Sequence, residues 1–235
     1  MKIRQLHPWN VTFREAIKIQ KELRSQVILK NLPGEINHIA GTDVAFSKKT
    51  NTAWACVVVL SFPELKKTDE ACIKGRTNFT YVPGLLSFRE IPFILEALKK
   101  LRTEPDLIFC DGQGIAHPRG LGLASHLGIL IEKPTIGCAK TRLVGEFSAV
   151  GLKRGDYSYL LYKGRKVGAV VRTRSGVKPL FISPGYAVSM DDAVRLILKC
   201  GGRYRIPEPT RQAHLLCKRL HVQGSTFRVR DKDKN

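Results

Sequence analysis

The 235-residue sequence predicts an α/β fold built on one mixed sheet, an antiparallel meander continued by parallel strands, with helices flanking it. Two observations carry this. Three β-rich runs, at residues 39–46, 53–62 and 70–78, follow one another with only short polar breaks at 48–52 and 63–67, as sequential antiparallel strands do. Further along, an apolar run at 106–110, a helical pattern at 120–131 and a second apolar run at 135–139 give the β-α-β alternation of parallel strands joined by a crossover helix. The composition, 43% hydrophobic and 26% charged, is that of a chain that buries a core.

Taken in order, Phe13, Ala16, Ile17, Ile19, Leu23 and Val27 recur at helical spacing with Lys18, Lys21 and Arg24 between them, which predicts a basic amphipathic helix ahead of the meander. After the meander, Ile91, Phe93, Ile94, Leu95, Ala97, Leu98 and Leu101 keep the same period until Pro105 closes the segment. Beyond the β-α-β unit lie a basic hairpin-like stretch at 157–174, an apolar strand at 180–183, a helix at 191–199 with Ser189 or Asp191 as its cap, and a last helix at 209–220. No linker divides the chain, so residues 1–235 are expected to form a single catalytic domain, ending in a flexible basic tail at 225–235.

Lys and Arg number 40 against 20 Asp and Glu, a formal net charge of +20 and a pI near 10.0. Such an excess points to a polyanionic partner. Lys163, Arg165, Lys166, Arg172, Arg174 and Lys178 read as a diffuse phosphate-binding surface. The longest apolar runs, at 53–60 and 121–131, fall far short of the roughly 18 residues of a membrane span, and the start Met1-Lys2-Ile3-Arg4 lacks a signal-peptide centre. No membrane partner and a cytoplasmic location are expected. The six cysteines, Cys56, Cys72, Cys110, Cys138, Cys200 and Cys217, show no zinc-knuckle spacing and read as reduced thiols. The glycine-rich segment after Asp111 lacks both the G-x-G-x-x-G order and a Walker lysine, which argues against a nucleotide cofactor.

Three acidic residues occupy unusual places. Asp43 stands inside the apolar run Ile39-Ala40-Gly41-Thr42-Asp43-Val44-Ala45-Phe46 with no local cation, so metal coordination outweighs a structural ion pair. Asp111 ends a buried strand and opens onto Gly112-Gln113-Gly114, where α/β proteins place their sites; an Asx-turn aspartate is the alternative. Glu90 begins a helix, where an acid is commonly a partner of the helix dipole. Hard oxygen ligands favour Mg²⁺, with Mn²⁺ as a substitute, and such an ion suits phosphodiester hydrolysis by a basic protein.

The segment from Asp111 through His117-Pro118-Arg119 to Ala124-Ser125-His126 closely resembles the endonuclease V family, the deoxyinosine 3′ endonucleases. The resemblance continues in Tyr81-Val82-Pro83-Gly84-Leu85-Leu86-Ser87-Phe88-Arg89-Glu90, in Gly41-Thr42-Asp43, in Thr135-Ile136-Gly137-Cys138-Ala139-Lys140 and in Pro207-Glu208-Pro209-Thr210-Arg211. It implies a ribonuclease-H-like fold and Mg²⁺-dependent nicking of DNA at the second phosphodiester bond 3′ to deoxyinosine, leaving 3′-hydroxyl and 5′-phosphate ends.

On the matching positions the resemblance implies Asp43, Glu90 and Asp111 as catalytic carboxylates, with Asp43 and Asp111 holding metal and Glu90 orienting water. His117 and Lys140 are further active-site groups near the scissile phosphate. His214 is a supporting metal ligand, or else an exposed helical histidine. Tyr81, Val82 and Pro83 match the strand-separating wedge, with Val82 in place of the usual isoleucine; without the family, Tyr81 is a core aromatic. Gly84, Leu86, Gly112, Gly122 and Leu123 match the pocket for the flipped base. Gly120 replaces a frequent second arginine. Inosine-containing RNA is an alternative substrate, a noncatalytic nucleic-acid-binding module is the rival reading, and a monomer is expected.

Overall fold

The computed structural model describes residues 1–226 except Pro33 and Lys48, and for residues 223–226 the backbone alone. Its centre is an eight-stranded sheet. In chain order the elements are helix α1 (Phe13–Leu23), strands β1 (His38–Phe46), β2 (Thr52–Ser61) and β3 (Lys67–Arg76), helix α2 (Leu86–Lys99), β4 (Leu107–Cys110), α3 (Leu123–Ile131), β5 (Thr135–Ala139), β6 (Tyr157–Tyr162), β7 (Arg165–Val171), β8 (Leu180–Tyr186), α4 (Met190–Lys199) and α5 (Glu208–Thr226). The strands lie in the order β3-β2-β1-β4-β5-β8-β7-β6. β1, β4 and β5 are parallel and every other pairing is antiparallel. The predicted mixed sheet, meander first and parallel strands after, is what forms.

Local chemistry explains the boundaries. Thr12 caps α1 through a reciprocal box: Thr12 Oγ1 accepts from the Glu15 amide at 3.3 Å, and the Thr12 amide donates to Glu15 Oε2 at 2.7 Å. At its other end the helix closes at Leu23 into a short 3₁₀ turn, earlier than the periodicity suggested. α2 starts at Leu86, so Glu90 falls in its second turn rather than at its tip. α3 begins at Leu123, because Gly120 (φ 70°) turns the chain just before it. Ser189 is the cap of α4, accepting from the Asp192 amide at 3.2 Å. α5 runs on to Thr226, two residues into the expected tail; the remainder of 225–235 lies outside the described residues.

Strand alternation divides the core between the two faces of the sheet. Ala40, Val57, Val59, Ile108 and Cys110 meet α2 and α3, whereas Ile39, Leu107, Phe109, Ile136 and Ile182 meet α4. α5 lies over β1 and β2, and the reason is Gly41: a Cβ there would stand 2.1 Å from the Pro209 carbonyl carbon. The Cys217 thiol adds donors to the Asp43 and Trp54 carbonyls at 3.0 and 3.3 Å. Arg172, expected on a phosphate-binding surface, is only 8% exposed and donates to the carbonyls of Val150, Gly151 and Val177; it clamps loops instead. Among the described residues no helix is long and apolar enough to cross a membrane.

Candidate active site

Parallel pairing sets the first two carboxylates side by side. Thr42 on β1 is in register with Cys110 on β4, so the next residues, Asp43 within β1 and Asp111 just past the end of β4, stand together where the parallel pairing of the two strands ends. Cys110 packs with α2 and α3 on the opposite face, as alternation requires. α5, seated on Gly41 and started by a Glu208–Arg211 ion pair of 2.6 Å, brings His214 over the same edge. His214 Nδ1 lies 3.0 Å from Asp43 Oδ2, and one ligand atom from each of Asp43, Asp111 and His214 lies within 4.8 Å of the others. Lys140, the residue after β5, closes the far side with Nζ 2.5 Å from Asp111 Oδ2.

The electrostatics mark this edge as a place that concentrates negative charge. Glu90 is buried, and that desolvation together with Asp43 and Asp111 nearby pushes its carboxyl well above the usual range. It stands behind the other two acids and outside the His214 cluster. Its burial in the second turn removes the reading of a solvent-facing dipole partner. Burial also raises Asp111, against the pull of Lys140. Lys140 is held above its ordinary value because the Asp111 carboxylate outweighs its own desolvation. The hydrogen bond His214 donates to the Asp43 carboxylate raises the pKa of its ring.

A cavity of about 380 Å³ opens beside this edge and includes Asp111 and Lys140 in its wall. All five predicted pocket residues, Gly84, Leu86, Gly112, Gly122 and Leu123, line it, with Tyr81 and Pro83. Tyr81 is 60% exposed, so it is not a core aromatic; Val82 instead turns inward against the Leu85 and Phe88 cluster. Gly84 adopts φ 80°, and a Cβ on it would meet Arg119 Nη2 at 2.9 Å, which accounts for glycine here.

His117 differs from expectation. Its Nε2 donates to the Gly84 carbonyl at 2.9 Å and its Nδ1 accepts from the Arg119 amide at 3.2 Å, which defines a neutral ring. Burial depresses it to about 4, and the ring stands in the wall of the cavity as a neutral group rather than a cation. Sequence reasoning missed Gln20, Gln113, Thr141, Arg142 and Leu143 in the same wall. Gln20 carried a legible signal: it stands with Ala16 and Leu23 on the buried stripe of α1, a polar residue on an apolar face.

A sheet of this order, with acids gathered where its parallel pairing ends, is of the ribonuclease-H-like class, and the relatives of the chain make it a nuclease, a hydrolase of phosphodiester bonds. The Endonuclease V family profile matches residues 21–215. An endonuclease V of Trichormus variabilis is 48% identical over 217 residues, covering 92% of this chain and 98% of that one. The crystal structure of endonuclease V from Streptomyces avermitilis superposes with a TM-score of 0.88 at 43% identity, covering 97% of this chain and all of that one. A Ciona intestinalis endonuclease V, in complex with a 23-mer DNA containing an inosine followed by a ribo-adenosine, superposes at TM-score 0.80 and 28% identity, over 91% of this chain and 99% of that one. The chain belongs to the endonuclease V family.

Proposed function

We propose that this chain is a Mg²⁺-dependent endonuclease that recognises deoxyinosine in DNA and hydrolyses the second phosphodiester bond 3′ to it, leaving 3′-hydroxyl and 5′-phosphate ends. One juxtaposition carries the reading: Asp111 belongs at once to the acidic cluster and, with its ion-pair partner Lys140, to the wall of a cavity large enough for a base.

The residues suit a hard divalent cation. Two carboxylates and an imidazole present atoms within 4.8 Å of one another, and burial works against the charge of Asp111 unless a cation balances it. Asp43, Asp111 and His214 would hold Mg²⁺, or Mn²⁺ in its place, which when bound polarises a phosphate oxygen and acidifies water. Glu90, kept basic enough by burial to take a proton, orients the attacking water. Water oxygen bonds to phosphorus as its proton passes to Glu90, the bond from phosphorus to the 3′ oxygen breaks, and that oxygen takes a proton from solvent and leaves as the hydroxyl. Lys140 neutralises charge that builds on the phosphate.

Tyr81, Val82 and Pro83 form the wedge, with Val82 anchoring the turn to the core while the exposed Tyr81 ring fills the gap in the stack. The flipped base enters the cavity, where small residues let main-chain groups approach it. There they tell the O6 acceptor of hypoxanthine from the N6 donor of adenine. Inosine-containing RNA is the second reading, favoured by the ribo-adenosine that follows inosine in the Ciona complex. The protein is taken to act as a monomeric, cytoplasmic, single-domain enzyme.

The test is nicking of a duplex with a single deoxyinosine and of its RNA counterpart, with and without Mg²⁺. Wild type should cut the DNA only with the ion, and Asp43→Ala and Asp111→Ala should each lose about 10²–10³-fold with an unchanged circular dichroism spectrum. Cutting of RNA alone would move the substrate to the second reading, and wild-type rates in both variants would remove the catalytic assignment.

A further inference from the structure

One carbonyl at the mouth of the base cavity is unusually well held. The Gly84 oxygen accepts from Gln20 Nε2 at 3.0 Å, from Arg119 Nη2 at 2.6 Å and from His117 Nε2 at 2.9 Å. The amide on the other side of that peptide, Leu85 N, donates to the Val82 carbonyl at 2.9 Å. Both polar ends of the Gly84–Leu85 peptide are therefore engaged, and its plane is set.

Gln20 is the hub. Its Nε2 also donates to the Leu121 carbonyl at 3.2 Å, and its Oε1 accepts from Arg119 Nε at 2.5 Å. Two carbonyls on one side and a guanidinium on the other leave a single amide orientation that satisfies every partner. At 1% exposure these bonds are made without competition from water. The residue ties together α1, the wedge turn and the loop before α3, and it lines the cavity itself. It stands one position ahead of the segment matched by the family profile.

The choice of an amide matters as much as its reach. Both side-chain partners of Arg119 are neutral, the Gln20 oxygen and the Gly84 carbonyl, so the guanidinium is oriented with its charge uncompensated. Among the described residues no carboxylate forms an ion pair with it. An oriented cation with free charge beside a base cavity is suited to a nucleic-acid phosphate.

We infer that Gln20 is a positioning residue of the inosine site, fixing the wedge turn through Gly84 and Leu121 while aiming Arg119 at the substrate through a neutral acceptor. The inference rests on the proposed activity and adds to it a residue that touches neither the reacting phosphate nor the acidic cluster. Steady-state cleavage of the deoxyinosine duplex across a salt series tests it. Gln20→Ala should raise KM about tenfold with kcat changed by less than about threefold, because the lost contact shapes binding and not the chemical step. Gln20→Glu keeps the acceptor for Arg119 but neutralises it and removes both donors, so the salt dependence of binding should become shallower by about one phosphate contact. Failure of wild type to cut the duplex would sink the activity reading. Wild-type cutting with KM and salt dependence unchanged in both variants would sink this inference alone, as would equal losses in kcat and kcat/KM. Thermal melting of both variants separates a lost fold from a lost contact, and a salt slope unaltered in a folded Gln20→Glu overturns the role given to Arg119.

Discussion

His117 illustrates how burial decides a side chain's role. Its pKa of about 4 lies below the ordinary 6.5 because the ring is desolvated. The folded state therefore resists a proton that the unfolded chain accepts. Its stabilising contribution is complete above pH 6.5 and is lost as pH falls toward about 4, at up to about 1.4 kcal/mol per pH unit. His126, shifted down by burial and by His7, acts in the same direction. Urea unfolding across this window should show stability falling with acidification in the wild type and falling less steeply in His117→Asn. Superimposable pH profiles would mean that the ring takes up its proton equally readily in the folded and unfolded states. The contrast with His214 is instructive, since the Asp43 carboxylate moves that ring the other way.

Among the elements, α5 is the one on which the cluster depends. Asp43 and Asp111 meet through strand register alone, but His214 reaches them only because the first turn of α5 lies directly on the backbone of β1 at Gly41. Gly41→Ala should push Pro209 and Thr210 away from the strand, cost about 1–3 kcal/mol by overpacking, and loosen the contact of His214 with Asp43. Chemical denaturation gives the first effect. A drop in the imidazole pKa of His214, followed by NMR titration, gives the second. An unchanged pKa would show that α5 can shift without losing the pair. α1 is the other informative element: its basic, amphipathic pattern was readable, but the function of its buried Gln20 was not, because the partners of that amide come from residues 84, 119 and 121.

Across the whole molecule, a net charge of +20 makes association with nucleic acid an electrolyte-dependent process. If about six phosphates are neutralised, affinity for a deoxyinosine duplex should fall by about 10³-fold between roughly 50 and 200 mM salt. Fluorescence anisotropy over that range measures it, and a flat response would show that the basic surface does not carry binding. The surface is also more selective than a count of cations suggests: Arg172 is internal, and Lys166 lies 3.9 Å over the Tyr159 ring.

The amino-acid order by itself determined the class of sheet, the sequence of its elements and the residue types of the site. Hydrophobic period and turn chemistry are local properties, and the motifs around Asp43, Glu90, Asp111 and Lys140 are contiguous strings. Tertiary structure alone decided that His117 is neutral and bound to Gly84, that Glu90 is buried behind the other acids, that Tyr81 faces outward and that Gln20 joins three segments. Each of these depends on desolvation or on a partner many positions away, and neither is encoded in the spacing of neighbours along the chain.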